Sequence, residues 1–354
     1  MKIGILTFHR SYNYGAVLQC YALQETLKSK GHDVYIIDYR QPAIEAERTL
    51  FNFDNIKRNK RHIGNIVRYF LNIPHEYKVH QRGNSFVKNF LNLTRPCNGY
   101  DIPTDIDVYI IGSDQLWNLE LTGGIDKVYW GLFAHNKKSK LYTYAVSTKL
   151  SCIHQIMNEN ISDYVANFSI VSFRENKICK EFTEKSQGVF RTDIDPTLLA
   201  DRSIWNCMLN KKWSVRKYIV FYQAGRSGVL KQQVLTHANN LAQLKECELI
   251  DLSTYKYSPG DFVSIIKYAQ CVITTSFHGT AFSLIFERPF LVYQLNDGND
   301  GRCANLLNLL ELSNCIIGLG ESAFIPHMDY SKINTRLAEL KLQSMEYIDY
   351  IGRI

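Results

Sequence analysis

A histidine lies in a short turn between a β-branched segment and an apolar helical segment. Val272 to Thr275 predicts a buried parallel strand, and the pattern from Thr280 onward predicts a helix packed on the sheet. Such a turn directs the first N–H groups and the dipole of the helix at one place, which attracts an anion. We expect His278 to act there as an acid or base, whereas the alternative is a half-buried histidine that only caps the helix. The neighbours that could bind the anion are Thr275, Ser276, Gly279 and Thr280.

Other segments place polar side chains directly after predicted strands. Asp114 follows the strand Asp107–Gly112, and its carboxylate could act as a base or simply cap a helix. Arg174 follows the strand Ser169–Phe173, where it could hold a carboxylate or phosphate in bidentate fashion or pair with Glu175. Because ligands bind at the carboxyl ends of strands in open α/β sheets, these groups should share one opening. The remaining candidates for substrate binding are Arg302, Asn13, Tyr14, Gly15, Gln115, Asn118 and Trp117, the last as a stacking surface.

These candidate residues need a scaffold of alternating strands and helices. A strand at 3–8, a helix at 16–30 ended by Gly31 and a strand at 34–39 form a βαβ unit. The alternation returns from residue 218 to 319, after a polar segment at 202–217. We therefore predict an α/β protein with two Rossmann-like domains and mostly parallel sheets, residues 1–200 and 201–328, and a helical segment at 329–354 that crosses back to the first domain. The first turn lacks the G-x-G-x-x-G pattern, so no dinucleotide site is expected.

The region of about 41–100 interrupts this alternation with a basic helical insertion. Between Arg48 and Arg95 it has ten basic and two acidic residues, an excess that accounts for the whole +7 charge of the chain. Apolar residues recur there at helical spacing. A basic amphipathic helix suits an anionic membrane surface or an acceptor that carries pyrophosphate, and the alternative is a solvated insertion.

Composition excludes several classes of protein. With 354 residues, 45% hydrophobic and 21% charged, the chain is typical of a globular protein of two domains. Its nine cysteines are scattered, which argues against zinc sites and a secreted disulfide framework. We found no signal-peptide pattern, no apolar run long enough for a membrane span and no nucleic-acid-binding signature. We expect a cytoplasmic protein, at most peripheral at the inner face of the cell membrane.

Five short motifs, in their order, resemble the polysaccharide pyruvyl transferase family over most of the chain. They are Ile5-Leu6-Thr7 through Asn13-Tyr14-Gly15-Ala16-Val17-Leu18-Gln19, Ile110-Ile111-Gly112-Ser113-Asp114-Gln115-Leu116-Trp117-Asn118, Ser172-Phe173-Arg174-Glu175-Asn176, Asp195-Pro196-Thr197-Leu198-Leu199 and Thr275-Ser276-Phe277-His278-Gly279. The resemblance implies a GT-B-type arrangement of the two domains. It also implies that a pyruvyl ketal is transferred from phosphoenolpyruvate to a sugar of a polysaccharide or of its lipid-linked precursor.

The resemblance assigns roles to three residues of this chain. His278 matches the essential histidine of the family, Arg174 its strand-end arginine and Asp114 its acidic residue in the first-domain loop. Many members have an arginine two residues before the histidine, where this chain has Ser276, and we expect Arg302 to replace it as an anion ligand. Phosphoenolpyruvate is then a co-substrate, and we expect no metal or other cofactor because the ten histidines do not pair at ligand spacing.

Two other functions remain open at this point. The first is a glycosyltransferase of the same architecture that uses a nucleotide sugar, for which Glu287 is the candidate ribose ligand unless it forms a structural salt bridge. The second is a non-catalytic carbohydrate-binding protein of an assembly complex. The joint presence of His278, Asp114 and Arg174 argues against the second.

Overall fold

The first sheet has six parallel strands in the order β2-β1-β3-β4-β5-β6. The computed structural model describes residues 1–48, 63–158, 161–224, 229–295, 300–318 and 324–353. All seven residues of β3 are buried, as is typical of a strand covered by helices on both faces. The strands are β1 Lys2–Leu6, β2 Asp33–Ile36, β3 Val108–Asp114, β4 Lys140–Val146, β5 Val171–Phe173 and β6 Phe190–Thr192.

The second sheet has five strands in the order β11-β10-β9-β7-β8, also parallel. Strand β9 is wholly buried between β7 and β10, so its carboxyl end lies at the centre of this sheet's edge. The strands are β7 Tyr218–Tyr222, β8 Glu248–Asp251, β9 Cys271–Thr274, β10 Phe290–Tyr293 and β11 Ile316–Ile317.

Helices cover both sheets. Their ends are set by residues that cap the unpaired backbone N–H and C=O groups of the terminal turns. Asn13 Oδ1 accepts the N–H of Gly15 at the start of the first helix, and Gly31 follows its end with a φ of 83°. Ser258 and Asp261 form a reciprocal capping box, with Pro259 in the first turn. The helices are Tyr14–Ser29, Pro42–Glu47, Ile63–Phe90, Leu119–Thr122, Leu150–Met157, Ile161–Val165, Asn176–Lys185, Pro196–Leu199, Val229–Leu244, Pro259–Tyr268, Phe277–Ile285, Gly301–Leu309 and Tyr330–Ile351.

The last helix, Tyr330–Ile351, connects the two sheets; we call it the return helix. Near its start, Tyr330 Oη donates a hydrogen bond to Arg288 O in the second part of the chain (2.6 Å). Near its end, Tyr347 Oη donates to Thr143 O on β4 (2.9 Å). Two Rossmann-like sheets joined by a helix that crosses back give the GT-B-type arrangement, and the predicted fold class is therefore confirmed.

Among the elements that the sequence prediction did not include are a strand and a short helix near residue 195. Strand β6 extends the first sheet beyond β5, the last strand that we expected there, and the short helix Pro196–Leu199 follows it along the chain. The return helix packs on this side of the sheet, where the N–H of Ile194 donates to Ser344 Oγ (3.1 Å). The domain limits at residues 200 and 328 stay predictions.

The basic insertion is described only in part. Lys57, Arg58, Lys60 and Arg61 lie outside the described residues. In the helix Ile63–Phe90, Leu71 and Tyr77 are exposed, whereas Val79, Phe86 and Val87 are buried against the body of the protein. In the described part of the chain, no helix has the length and apolar character needed to cross a bilayer.

Candidate active site

The carboxyl ends of the two sheets face each other, and polar side chains follow several strands there. A contact between Asn13 and Tyr222 (3.5 Å between Oδ1 and Oη) joins the two edges. Because parallel strands end at one edge, the first sheet delivers four polar groups to the same place. These four groups are Asp114 at the end of β3, Ser147 after β4, Arg174 after β5 and Asp195 after β6. The second sheet adds His278 after β9.

Asp195 lies at the centre of the site and joins its two halves. Its carboxylate accepts hydrogen bonds from Arg174 Nη1 (2.8 Å) and from Thr197 N and Oγ1 (2.9 and 2.7 Å). Nε2 of His278, from the second sheet, lies 3.6 Å from Asp195 Oδ2. Burial opposes the ionisation of Asp195, but His278, Arg174 and Thr197 together hold its pKa well below the usual range. Asp195 is therefore a buried anion between an imidazole and a guanidinium.

His278 is fixed by its own helix start and by the first domain. Thr274 Oγ1 accepts the N–H of Ser276 (2.9 Å) and donates to Tyr222 O (2.6 Å), which anchors the turn before the helix Phe277–Ile285. A Cβ on Gly15 would overlap the imidazole, so the ring packs directly on the backbone of the first domain. His278 is buried, and its Nε2 has no hydrogen-bond partner among the described residues. That nitrogen can exchange a proton with a ligand.

Arg174 contacts three carboxylates and one aromatic ring. Its guanidinium nitrogens lie 2.8 Å from Asp195, 3.3 Å from Glu175 and 3.9 Å from Asp114. The guanidinium carbon lies 4.6 Å from the ring centroid of Phe277, which precedes His278. Burial disfavours the charged form, but the three carboxylates outweigh burial and raise the pKa of Arg174. Arg174 Nη2 has no hydrogen-bond partner within the described part of the chain and could donate to a bound anion.

A second arginine approaches the same group from the second domain. Arg302 lies in the first turn of the helix Gly301–Leu309 and is partly exposed. Its pKa is lowered, first by burial and then by the charge of Arg174. Two guanidiniums and an imidazole at one place can bind a substrate that carries both a carboxylate and a phosphate.

Asp114 lies on the other side of Arg174 in an unusual backbone conformation. Its φ is 91°, which L residues rarely adopt and which costs about 1–3 kcal/mol. Its Oδ1 accepts the N–H of Gln115 (2.9 Å). The side chain is largely buried, with 12% of its surface exposed. Strained residues of this kind are often found at functional sites, because the fold must hold them against their preference.

A cavity of about 130 Å³ opens beside Arg174 and Asp195. Its other walls come from the helix Gly301–Leu309, the return helix and Phe277. His278, Asp114 and Arg302 are not among the residues that line it. The amides that line it are Asn176, Asn305 and Gln343. Amides beside carboxylates suit the hydroxyl groups of a neutral, sugar-like ligand better than an anion.

The structure corrects the interpretation of Trp117. Its side chain is wholly buried, its Nε1 donates to Tyr129 O (2.8 Å), and its ring stacks on Trp130 (3.9 Å between centroids). The ring therefore offers no face to a ligand and belongs to the core of the first domain. Asn118 is also buried, where it caps a short helix through the N–H of Glu120 (3.1 Å).

Several other candidate residues have structural partners. Tyr14 Oη donates to Tyr257 O (3.1 Å) across the two domains, and its ring packs among aromatic rings of the second domain. The N–H and hydroxyl of Thr280 both donate to Ser276 O within the helix (3.0 and 3.1 Å). Thr280 therefore has no donor left for an anion. Gly279 is required because a Cβ would overlap Thr274 Oγ1. Gln115 directly follows Asp114 and is buried, and Thr275 directly follows β9 and is partly exposed.

Sequence reasoning gave no role to Asp195, although it stands in a motif quoted for the resemblance. Asp-Pro-Thr predicts only a capped helix start, and Asp195 does cap the helix Pro196–Leu199. The signal that it does more is its place after β6, a strand that the sequence pattern did not reveal. Among the described residues, no group of three or more His, Cys, Asp or Glu side chains is arranged to hold a metal ion.

Solved structures are similar to this chain at low sequence identity over nearly its whole length. A UDP-N-acetylglucosamine 2-epimerase from Rickettsia bellii is 9% identical, with 99% of this chain and 98% of that chain covered and a TM-score of 0.45. The spinosyn rhamnosyltransferase SpnG is 12% identical, with 100% and 96% covered and a TM-score of 0.41. Similarity at this level says nothing about the substrate.

A family model gives a more direct assignment. A comparison with curated proteins found no match. The model of the family described as polysaccharide pyruvyl transferase, however, matches residues 13–296, which is most of the chain. The match includes Asn13-Tyr14-Gly15, Asp114, Arg174, Asp195 and His278. The chain belongs to the polysaccharide pyruvyl transferase family.

Proposed function

We propose that this protein transfers a pyruvyl group from phosphoenolpyruvate to two hydroxyls of a sugar, forming a cyclic ketal and releasing phosphate. The observation that supports this proposal is the continuous chain of contacts from Asp114 through Arg174 and Asp195 to His278. It combines an anion site with two separate groups that can exchange protons.

Phosphoenolpyruvate would bind between the two domains. Arg174 Nη2 and the guanidinium of Arg302 would bind its carboxylate and phosphate, and His278 would face its vinyl carbon. The N–H groups in the first turn of the helix Phe277–Ile285 add a favourable dipole for an anion, except that of Thr280, which is already bonded.

The reaction would use one acid and one base. Protonated His278 gives a proton to the methylene carbon C3, and a sugar hydroxyl, deprotonated by Asp114, forms a bond to the electron-poor C2. The C2–O bond to phosphate then breaks, and phosphate leaves with that electron pair. A second sugar hydroxyl attacks C2 and gives its proton to His278, which is neutral after the first step, and this completes the ketal. The buried carboxylate of Asp195 would stabilise the protonated imidazole during the first step.

The acceptor would enter next to the donor. Since Asp114 does not line the cavity with amide groups beside Arg174 and Asp195, that cavity could hold a neighbouring unit of the acceptor rather than the reacting sugar. The acceptor could be linked to a lipid pyrophosphate. Contact of residues 48–95 with a membrane surface is part of the same proposal. It rests on the charge of that segment, since several of its basic residues lie outside the described residues.

The glycosyltransferase alternative loses its only candidate residue. Glu287 follows the helix Phe277–Ile285, which runs away from the site for nine residues, about 13 Å. Its carboxylate pairs with Arg202 (3.4 Å) and accepts a hydrogen bond from Asn334 (3.2 Å). Glu287 is thus a structural residue at the opposite edge of the sheet.

Thermal unfolding with candidate donors tests the proposed function directly. Phosphoenolpyruvate at about 100 times its dissociation constant should add about 2.7 kcal/mol to the free energy of unfolding, because it binds only the folded state. A nucleotide sugar should add nothing. Phosphate release and a ketal-sized mass gain on one glycan of an acceptor panel would identify the acceptor. Stabilisation by a nucleotide sugar alone would contradict the proposal.

Replacing Arg302 with alanine should raise the KM for phosphoenolpyruvate. A hydrogen bond to a charged group contributes about 1.5–3 kcal/mol, so the expected increase is roughly 10- to 150-fold, with a smaller effect on kcat. Steady-state phosphate release measures it. Arg216→Ala is the matched control, because Arg216 pairs with Glu248 on the surface (2.5 Å). An unchanged KM in Arg302→Ala would remove Arg302 from the site.

A further inference from the structure

Glu175 is a buried carboxyl group that the mechanism above does not use. It is 5% exposed, between Arg174 and the helix that it precedes. Its Oε1 accepts hydrogen bonds from Ser147 Oγ (2.9 Å) and Arg174 Nε (3.3 Å). Its Oε2 is also buried and has no hydrogen-bond partner in the described part of the chain. A carboxylate oxygen left in this state is costly, whereas a protonated oxygen there could donate to a ligand.

The site has no net positive charge that could balance the charge of phosphoenolpyruvate. Arg174 and Arg302 are two cations, and Asp114, Glu175 and Asp195 are three anions when ionised; even with His278 protonated, the sum is only zero. Phosphoenolpyruvate carries about −2.5 to −3 at neutral pH, from one carboxylate and one phosphate monoester. Adding that charge to a neutral buried cluster is unfavourable unless one of the carboxylates becomes neutral.

The three carboxyl groups differ in how readily they can take up a proton. Asp195 is held ionised by His278, Arg174 and Thr197, which lower its pKa. Asp114 has the most exposed side chain of the three, and its carboxylate accepts the N–H of Gln115. Glu175 is the one whose burial raises its pKa, although Arg174, Arg302 and Ser147 act in the opposite direction.

The groups that face Glu175 come from three elements. Arg174 lies on its own loop, Ser147 follows β4, and Arg302 starts the helix Gly301–Leu309. Each of the two arginines is a candidate ligand of phosphoenolpyruvate. When the guanidiniums bind phosphoenolpyruvate, they no longer balance the charge of Glu175. The carboxylate and phosphate of the substrate also come to lie near Glu175. Both changes favour the protonated carboxyl.

We propose that Glu175 takes up a proton from solvent when phosphoenolpyruvate binds, and that its neutral carboxyl then donates a hydrogen bond to the bound substrate. No bond to carbon forms or breaks in this step; one proton moves from solvent to Oε2. This inference rests on the proposed function, since it requires phosphoenolpyruvate to be the ligand.

Proton uptake makes the affinity for phosphoenolpyruvate depend on pH in a defined direction. The complex binds more protons than the free protein, so the dissociation constant must rise with pH, by up to about tenfold per pH unit. Glutamine at position 175 imitates the neutral carboxyl. Glu175→Gln should therefore bind phosphoenolpyruvate with less pH dependence than the wild type, and more tightly than the wild type at high pH.

Isothermal titration calorimetry with phosphoenolpyruvate, and no acceptor, measures the proton directly. At about pH 8 the phosphate is fully ionised, so in buffers of different ionisation enthalpy the wild type should take up roughly 0.5–1 proton per ligand. Glu175→Gln should take up fewer protons than the wild type, because uptake by any other group of the site is common to both. The control Glu184→Gln, an exposed residue on the helix Asn176–Lys185, should behave as the wild type.

The outcomes separate this inference from the proposed function. Binding of phosphoenolpyruvate to the wild type without proton uptake, or uptake that is as large in Glu175→Gln as in the wild type, overturns the role of Glu175 and leaves the proposed function standing. Absence of binding overturns both. If Glu175→Gln does not fold, the pH dependence of the wild-type dissociation constant decides: a value that stays flat between pH 7 and about 9 contradicts the inference.

Discussion

Replacing His278 with alanine should lower kcat for phosphate release from phosphoenolpyruvate by about 10²- to 10⁴-fold, the usual range for loss of a general acid. The effect should fall on kcat more than on KM, because the two arginines that would bind the anion remain. The fold should survive, since the imidazole packs mainly on the backbone at Gly15 and the helix Phe277–Ile285 keeps its anchor at Thr274.

The controls for this variant come from within the chain. His135→Ala changes a histidine whose Nδ1 contacts Phe133 O (2.9 Å) in the loop before β4. That loop lies at the opposite edge of the sheet, a seven-residue strand or about 20 Å from the site. This variant should keep wild-type kcat. Circular dichroism should show that both variants are folded, and turnover near the wild-type rate in His278→Ala would rule out the acid role.

The sequence was sufficient to predict where the reactive groups would gather, and the reason is topological. Strands end at one edge of a parallel sheet, so a histidine, an arginine and an aspartate that each follow a strand must approach one another. The structure brings Asp114 within 3.9 Å of Arg174, and joins Arg174 to His278 through Asp195. Periodicity and turn residues carried this information without any knowledge of the packing.

The errors came from features that depend on tertiary packing. Trp117 follows Asp114 by three residues, but the direction of its ring is set by Trp130 and the core, which no local pattern reveals. Asp195 was overlooked because β6 has only three residues and lies at the sheet edge, where apolar patterning is weak. Glu175 was considered only as a partner of Arg174, since burial cannot be read from its neighbours along the chain.

Arg174 joins the binding of the substrate to the stability of the fold. Removing its charge leaves Asp114, Glu175 and Asp195 buried without their common partner. Breaking a buried ion pair from one side typically costs about 3–5 kcal/mol. Arg174→Ala should therefore lower the free energy of unfolding by that amount at neutral pH. Arg174→Lys keeps the charge, so it should fold. It should lose most of the activity, because an ammonium cannot form the bidentate hydrogen bonds of a guanidinium.

The pH dependence of stability distinguishes this explanation from simple loss of packing. The pKa of Asp195 is lowered in the folded wild type, so its contribution to stability is present above the unfolded pKa and is lost as pH falls through the folded value. In Arg174→Ala the same carboxylates lack a cation. Lowering the pH protonates them and so reduces the loss in free energy of unfolding that the substitution causes. The stability difference between wild type and Arg174→Ala should thus be largest at neutral pH and shrink towards about pH 4.

Urea unfolding of the wild type, Arg174→Ala and Arg174→Lys at several pH values measures this difference. Arg202→Ala is the control, because Arg202 and Glu287 form an exposed pair, and such pairs contribute about 0–1 kcal/mol at any of these pH values. A stability loss in Arg174→Ala that is the same at pH 4.5 and about pH 7.5 would mean that the side chain acts through volume and its contact with Phe277 rather than through charge. The electrostatic centre that links the two domains would then have to lie elsewhere.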